Sequence, residues 1–218
     1  MSDSISSIRE FGGLEGLVLI NDHKPNYFKL ESGVRKIERP DSDKPLSIID
    51  LSGNFVLIPE VLFDNDLKHQ LIGVSNSDSV KAVKYLNDVV VWNQSTQTDY
   101  SNVKSLVHFA HCILMYNESQ ENGLNAFWSN DKLFVCLKIK DQLHLINSYE
   151  AKTVEEALYY LMLITQEFDL DQETFCFELM ADNESSDTFI DESKKYFRNL
   201  TTYEGTEAYK QILSRCIS

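Results

Sequence analysis

The feature that most constrains this chain is a pattern between Leu124 and Phe168. Three short apolar runs, Leu124–Trp128, Leu133–Ile139 and Leu143–Asn147, are followed by a helix-start signal at Thr153. In the middle run Leu133, Val135, Leu137 and Ile139 recur every second residue, so one face of a strand is apolar. Asn130-Asp131 suits a tight turn before that strand, because both residue types tolerate positive φ. The three runs therefore predict an antiparallel meander. Thr153 and Glu156 form a capping box, in which the threonine oxygen and the glutamate carboxylate each satisfy a free backbone N–H. Behind it Val154, Ala157, Leu158, Leu161, Met162 and Phe168 line one helical face. Tyr159, Tyr160, Leu163 and Ile164 populate the rest, and a helix apolar all round is expected to be buried. A sheet with helices packed on it follows.

The remainder reads in the same mixed way. Leu17–Ile20 predicts a strand that pairs with Tyr27–Leu30. Arg35–Pro45, charged and with two prolines, reads as a loop. Leu46–Ile49 and Phe55–Ile58 read as a hairpin around Asp50-Leu51-Ser52-Gly53. Pro59 can open a helix that carries Val61, Leu62, Leu67 and Leu71. Val89–Trp92 is a buried strand, and Val107–Tyr116 a buried helix. Phe175, Phe177 and Leu179 alternate as a strand. Helices are expected near Asp187–Phe197 and Thr206–Cys216, the second with Tyr209, Ile212, Leu213 and Cys216 on one face. The polar stretch Gln94–Asn102 is the natural boundary between a first α/β lobe, residues 1–95, and a second with a C-terminal helix, residues 96–218.

Composition narrows the function classes. A net charge of −14 over 218 residues repels nucleic-acid phosphates and anionic lipid, so neither nucleic acid nor membrane is an expected partner. Cys112, Cys136, Cys176 and Cys216 are scattered, with no C-x-x-C pair, which fits free thiols in a reducing cytoplasm. The N-terminal residues lack the basic and apolar regions of a signal peptide. No apolar run reaches the ~20 residues that a bilayer requires. A cytoplasmic location is the expectation.

Catalytic signatures are few. His108, His111 and Cys112 have helical spacing for a metal site, but apolar neighbours make them core residues instead, and no metal is expected. No G-x-S-x-G elbow marks a nucleophile. Gly12, Gly13 and Gly16 precede a strand where a dinucleotide loop would follow one. The acidic loop Ala181–Asp187 lacks the spacing and central glycine of a calcium loop. No catalytic residue is assigned and no cofactor is expected.

Four segments, LIPEVLFD (Leu57–Asp64), the meander from Phe134 to Tyr149, TVEEALYYLMLITQEFDLD (Thr153–Asp171) and KKYFRNL (Lys194–Leu200), resemble the bacterial domain-of-unknown-function family 3822 over roughly Leu46–Leu200. The resemblance implies a two-lobed actin-like ATPase fold of the ribonuclease H-like type, with mixed α/β sheets and a reduced first lobe. It also permits a position-by-position comparison with the superfamily's ATP site. The second-lobe phosphate turn corresponds to Ser129-Asn130-Asp131-Lys132, where Asp131 could serve a metal but no glycine accompanies it. The adenosine loop corresponds to Met180-Ala181-Asp182, again without glycine. The first-lobe hairpin near Leu14–Ile20 has glycines but no aspartate before Asn21-Asp22. These departures predict a degenerate site and a protein-binding or assembly module. The second reading is a nucleotide-binding protein, a weak ATPase or kinase, using Asp131 or Asp50 in an inter-lobe cleft. The third is a homodimer paired through an exposed strand of the meander.

Overall fold

The computed structural model describes residues 16–21, 24–29, 35–37, 46–51, 54–74, 79–94, 103–118, 120–129, 131–182 and 185–217. The chain divides into two compact units, Met1–Tyr116 with Ile212–Ser218, and Asn117–Gln211.

In the first unit the strands are β1 (Gly16–Asn21), β2 (Lys24–Lys29), β3 (Arg35–Ile37), β4 (Leu46–Asp50) and β5 (Phe55–Pro59). A 3₁₀ turn, Glu60–Leu62, and the one-turn helix α1 (Lys68–Leu71) follow, then β6 (Val80–Tyr85), β7 (Asp88–Asn93), β8 (Val103–His108) and the helix α2 (Phe109–Asn117). The five-stranded sheet runs β3-β2-β1-β4-β8, with β1, β2 and β3 antiparallel and β4 and β8 parallel to β1. The expected pairing of the Leu17–Ile20 strand with the next is present, Leu17 opposite Phe28 and Ile20 opposite Pro25.

Several local expectations need correction. The Leu46–Ile49 and Phe55–Ile58 runs are not a hairpin. The first is a central parallel strand, while β5 pairs antiparallel with β7 in a separate sheet ordered β5-β7-β6. Ile48 and Ile49 point to opposite faces and are both 1% exposed, as befits a strand covered on both sides. Arg35–Ile37, placed in a loop by its charge, is the strand β3. The turn after Pro59 is too short to be the expected helix, and its Val61 and Leu62 stand 90% and 70% exposed. Val107 and His108 end β8, and the helix begins only at Phe109. Residues 95–102, most of the expected boundary, lie outside the described residues.

Val80, Val89 and Val91 form the core of the smaller sheet. Phe63, Ile72 and Val74, from the segment between β5 and β6, pack against it. Valines on alternate strand positions thus point to one face, and the connecting chain covers them.

The second unit contains β9 (Gly123–Ser129), β10 (Lys132–Ile139), β11 (Gln142–Glu150), α3 (Val154–Glu167), β12 (Phe177–Ala181), α4 (Ser186–Ser193), β13 (Leu200–Glu204) and most of α5 (Gly205–Ile217). Its sheet order, β11-β10-β9-β12-β13, repeats the first: an antiparallel meander, then two parallel strands. Asp131 adopts φ 64 in the β9–β10 turn, as its residue type permits. Leu133, Val135 and Leu137 join Leu124, Trp128, Phe177 and Leu179 in one core cluster beneath α3 and α4.

The capping box is complete: Glu156 N–H donates to Thr153 Oγ1, and Glu156 Oε2 accepts from the Thr153 N–H. Ala157, Leu158, Leu161 and Ile164 face the core. The helix is not buried all round, however. Tyr159 and Leu163 are 61% and 43% exposed, because a helix on the outer side of a sheet always keeps one face in solvent. The strand β13 was hidden in sequence by Thr201-Thr202 and the charge at Glu204, and forms because Leu200–Glu204 extends the sheet beside β12.

Candidate functional site

Open α/β sheets bind ligands at the carboxyl ends of parallel strands, where loops diverge and backbone groups are free. Two such edges occur here.

In the second unit β9, β12 and β13 are parallel, and Trp128, Ala181 and Glu204 lie side by side at their ends. The chain leaves this edge as the Asp131 turn, the Asp182 segment and α5. The Asp182 N–H donates to Trp128 O at 3.0 Å, which ties the segment to the strand end. The Asp131 carbonyl accepts from Ala151 N–H at 2.8 Å, while its side chain is exposed. Behind the turn Ser129 Oγ lies 3.1 Å from Tyr209 Oη, both buried. Burial, reinforced by the Asp182 charge, raises the Tyr209 hydroxyl well above its ordinary range, so it stays protonated. Glu204 is also raised, first by its hydrogen bond to the Asp187 carboxyl and then by burial. Two carboxyl groups in hydrogen-bond contact mark a locally negative edge. Asp131 in the turn after β9, Asp182 directly after β12 and Glu204 at the end of β13 thus lie along one edge of the sheet, with Asp187 against Glu204.

In the first unit Ile20, Asp50 and His108 are in register at the ends of parallel β1, β4 and β8. Asp50 is 2% exposed, and is therefore within the protein and not presented to solvent. His108 is fully buried. Its Nδ1 accepts the Ala110 N–H at 3.1 Å, so it caps α2 and carries its proton on Nε2. The rings of Phe55 and Trp92 enclose it at 4.9 and 5.8 Å. His111 packs edge-on to Tyr85, and burial lowers it to about 4, so it is neutral at physiological pH. These histidines are core groups, as their apolar neighbours predict. Cys112 and Cys136 are buried free thiols, and burial pushes Cys136 up to about 12, far from a thiolate. Among the described residues no group of three or more His, Cys, Asp or Glu is arranged to hold a metal. Among them, too, no helix is long and apolar enough to cross a membrane.

The sequence reading missed two polar constellations. One is Ser129–Tyr209, joined across 80 positions of chain. The other is a buried network on the same unit's sheet. Asn125 Nδ2 donates to Asn117 Oδ1 and to Gln120 Oε1, and Gln120 Nε2 donates to Glu178 Oε2 at 2.9 Å. Lys138 Nζ donates to the Asn117 and Glu118 carbonyls at the carboxyl end of α2, and to Asp141. No local signal marks them, because their members lie on different elements.

The repeated sheet is that of an actin-like ATPase fold. The chain is similar over 94% of its length to 98% of a Bacteroides thetaiotaomicron protein with that fold and unknown function, at a TM-score of 0.67 and 15% identity. It is also similar to the cytoplasmic domain of EpsL, an inner membrane component of the type II secretion system of Vibrio cholerae, covering 92% of this chain and 93% of that one, at a TM-score of 0.50 and 12% identity. At these identities the likeness is one of fold. The chain belongs to the DUF3822 family of proteins of unknown function, whose model matches residues 46–200. No curated protein matches it.

Proposed function

We propose that this chain is a non-catalytic actin-like module that works in the cytoplasm by binding another protein. One observation carries the reading. The β9–β10 turn, the segment after β12 and the end of β13 supply Asp131, Asp182 and Glu204 where an ATP site of this fold would need glycine-rich backbone. Carboxylates repel phosphate unless a divalent cation intervenes, and side chains on the turn keep the backbone N–H groups at a distance. A relative in fold, the EpsL cytoplasmic domain, is part of a secretion assembly, which is consistent with a role in a protein complex. The two-lobe division serves the same purpose, since each lobe offers separate contact surfaces.

The test is isothermal titration calorimetry with Mg·ATP and Mg·ADP at millimolar nucleotide and ~100 μM folded protein, a range that registers weak affinities. No saturable heat is expected. Saturable heat that disappears in Asp131→Ala would replace this reading with that of a nucleotide-binding protein.

A further inference from the structure

We infer that the cavity along the outer edge of β6, lined by Lys68, Lys81 and Trp92, is a binding site for a small organic anion, a phosphate or carboxylate carried on a compact apolar body. The site lies wholly within the first unit and goes beyond the binding-module reading without depending on it.

The cavity holds about 600 Å³, inside the roughly 300–1,000 Å³ typical of small-molecule sites. Lys81 stands opposite Trp92 in the β6–β7 ladder, so their side chains share one face of the small sheet. Val80 and Ala82 project from the other face of the same strand, yet line the same cavity. The cavity therefore wraps the open edge of β6, which among the described strands pairs with β7 alone. Backbone N–H groups on such an edge have no ladder partner and add to the donors at the site. Trp92 and Val80 are buried and form the inner wall, whereas Asn65 and Asp66 are exposed and form the mouth.

Charge selects the ligand. Two lining residues are lysines and one is an aspartate, in a chain with 34 acidic against 20 basic residues. Asp66 forms no ion pair with either lysine, and Lys68 has none with any described residue. Both lysines are half-buried, so an anion between them would be less screened than on an open surface. They come from separate elements, α1 and β6, and no fold contact between charges accounts for Lys68.

Trp92 gives a second, independent indication. Its Nε1–H is buried and has no hydrogen-bond partner, whereas the Nε1–H of Trp128 donates to Ala151 O at 2.7 Å. An indole N–H can only donate, and an orphaned buried donor is uncommon enough to need a reason. An anion against the inner wall brings it an acceptor, while the apolar surfaces of Val80 and Leu106 take the ligand's body.

The two tryptophans, one in each unit, make the test site-specific. The experiment records proton–nitrogen correlation spectra of the full chain, with the two indole resonances told apart by Trp128→Phe. Phenyl phosphate, phenylacetate and uncharged benzyl alcohol are titrated in turn, without divalent metal. A saturable shift of the Trp92 indole resonance is expected with at least one anion, and none for Trp128. Lys68→Met and Lys81→Met should each weaken binding on the order of tenfold. Lys84→Met removes a lysine already paired with Glu60 and should leave the affinity unchanged. The dispersion of each spectrum establishes that the variant is folded. Tighter binding of phenyl phosphate would support a phosphate ligand, and tighter binding of phenylacetate a carboxylate. No saturable shift with either anion would overturn the assignment. So would affinity that neither lysine variant changes, or an equal response to benzyl alcohol. The Mg·ATP titration and its Asp131→Ala control report on the other unit, so either reading can fail while the other stands.

Discussion

His111 links burial to a measurable pH dependence. Its side chain is 3% exposed, and burial lowers its pKa from 6.5 to about 4. Between those values the unfolded chain binds a proton that the folded chain excludes. Stability therefore rises with pH across the window and falls as the medium is acidified from 6.5 toward 4. The full separation corresponds to about 3 kcal/mol, of which about 2 kcal/mol is lost between roughly pH 7.5 and pH 5. The assay is urea unfolding of the wild type and His111→Leu at half-unit intervals over that range. Carboxylates add their own dependence in both proteins, so the difference between the two curves isolates His111. The variant is expected to gain about 2 kcal/mol on the wild type by about pH 5. A difference constant to within about 0.5 kcal/mol would refute a buried, proton-excluding imidazole.

Other substitutions test the packing argument, each by the shift of a urea unfolding curve. Thr153→Ala removes the acceptor of the α3 capping box and should cost about 1 kcal/mol. Adding Glu156→Ala should cost less than the sum of the singles, since the two side chains act as one cap. Lys138→Met leaves the Asn117 and Glu118 carbonyls without a donor that now sits at 3.2 and 3.3 Å, and should cost about 2 kcal/mol. Its exposed partner is worth less, so Asp141→Asn should stay below about 1 kcal/mol. Leu86→Gly relieves a left-handed leucine and should raise stability by about 1 kcal/mol.

Local chemistry accounts for what could be read in advance. The β9–β10–β11 meander, the capped start of α3, the buried strand β7 and the amphipathic α5 each announce themselves over short stretches of sequence. Alternation, capping and helical spacing depend on near neighbours, so no knowledge of the fold was needed. Asp131 was legible as a turn residue for the same reason, and its φ of 64 agrees. The resemblance carried by Leu57–Asp64 and Thr153–Asp171 supplied the architecture that periodicity could not.

What stayed hidden depended on residues distant in sequence. Leu46–Ile49 and Phe55–Ile58 look like partners because only a short turn separates them, yet β4 inserts between β1 and β8 while β5 joins β7. Short apolar runs do not specify which neighbour they will take, since every strand edge offers the same hydrogen bonds. Exposure was equally invisible: Tyr159 and Leu86 are as apolar in sequence as Leu161 and Val89, and only packing separates 61% and 60% exposure from 0% and 3%. The negative edge needed Asp131, Asp182, Asp187 and Glu204 to be brought from separate loops and helices to the ends of parallel strands. Composition thus decided that the chain is acidic and rich in core-forming residues. Only the long-range pairing of its strands decided where that charge gathers and which apolar side chains are left facing the solvent.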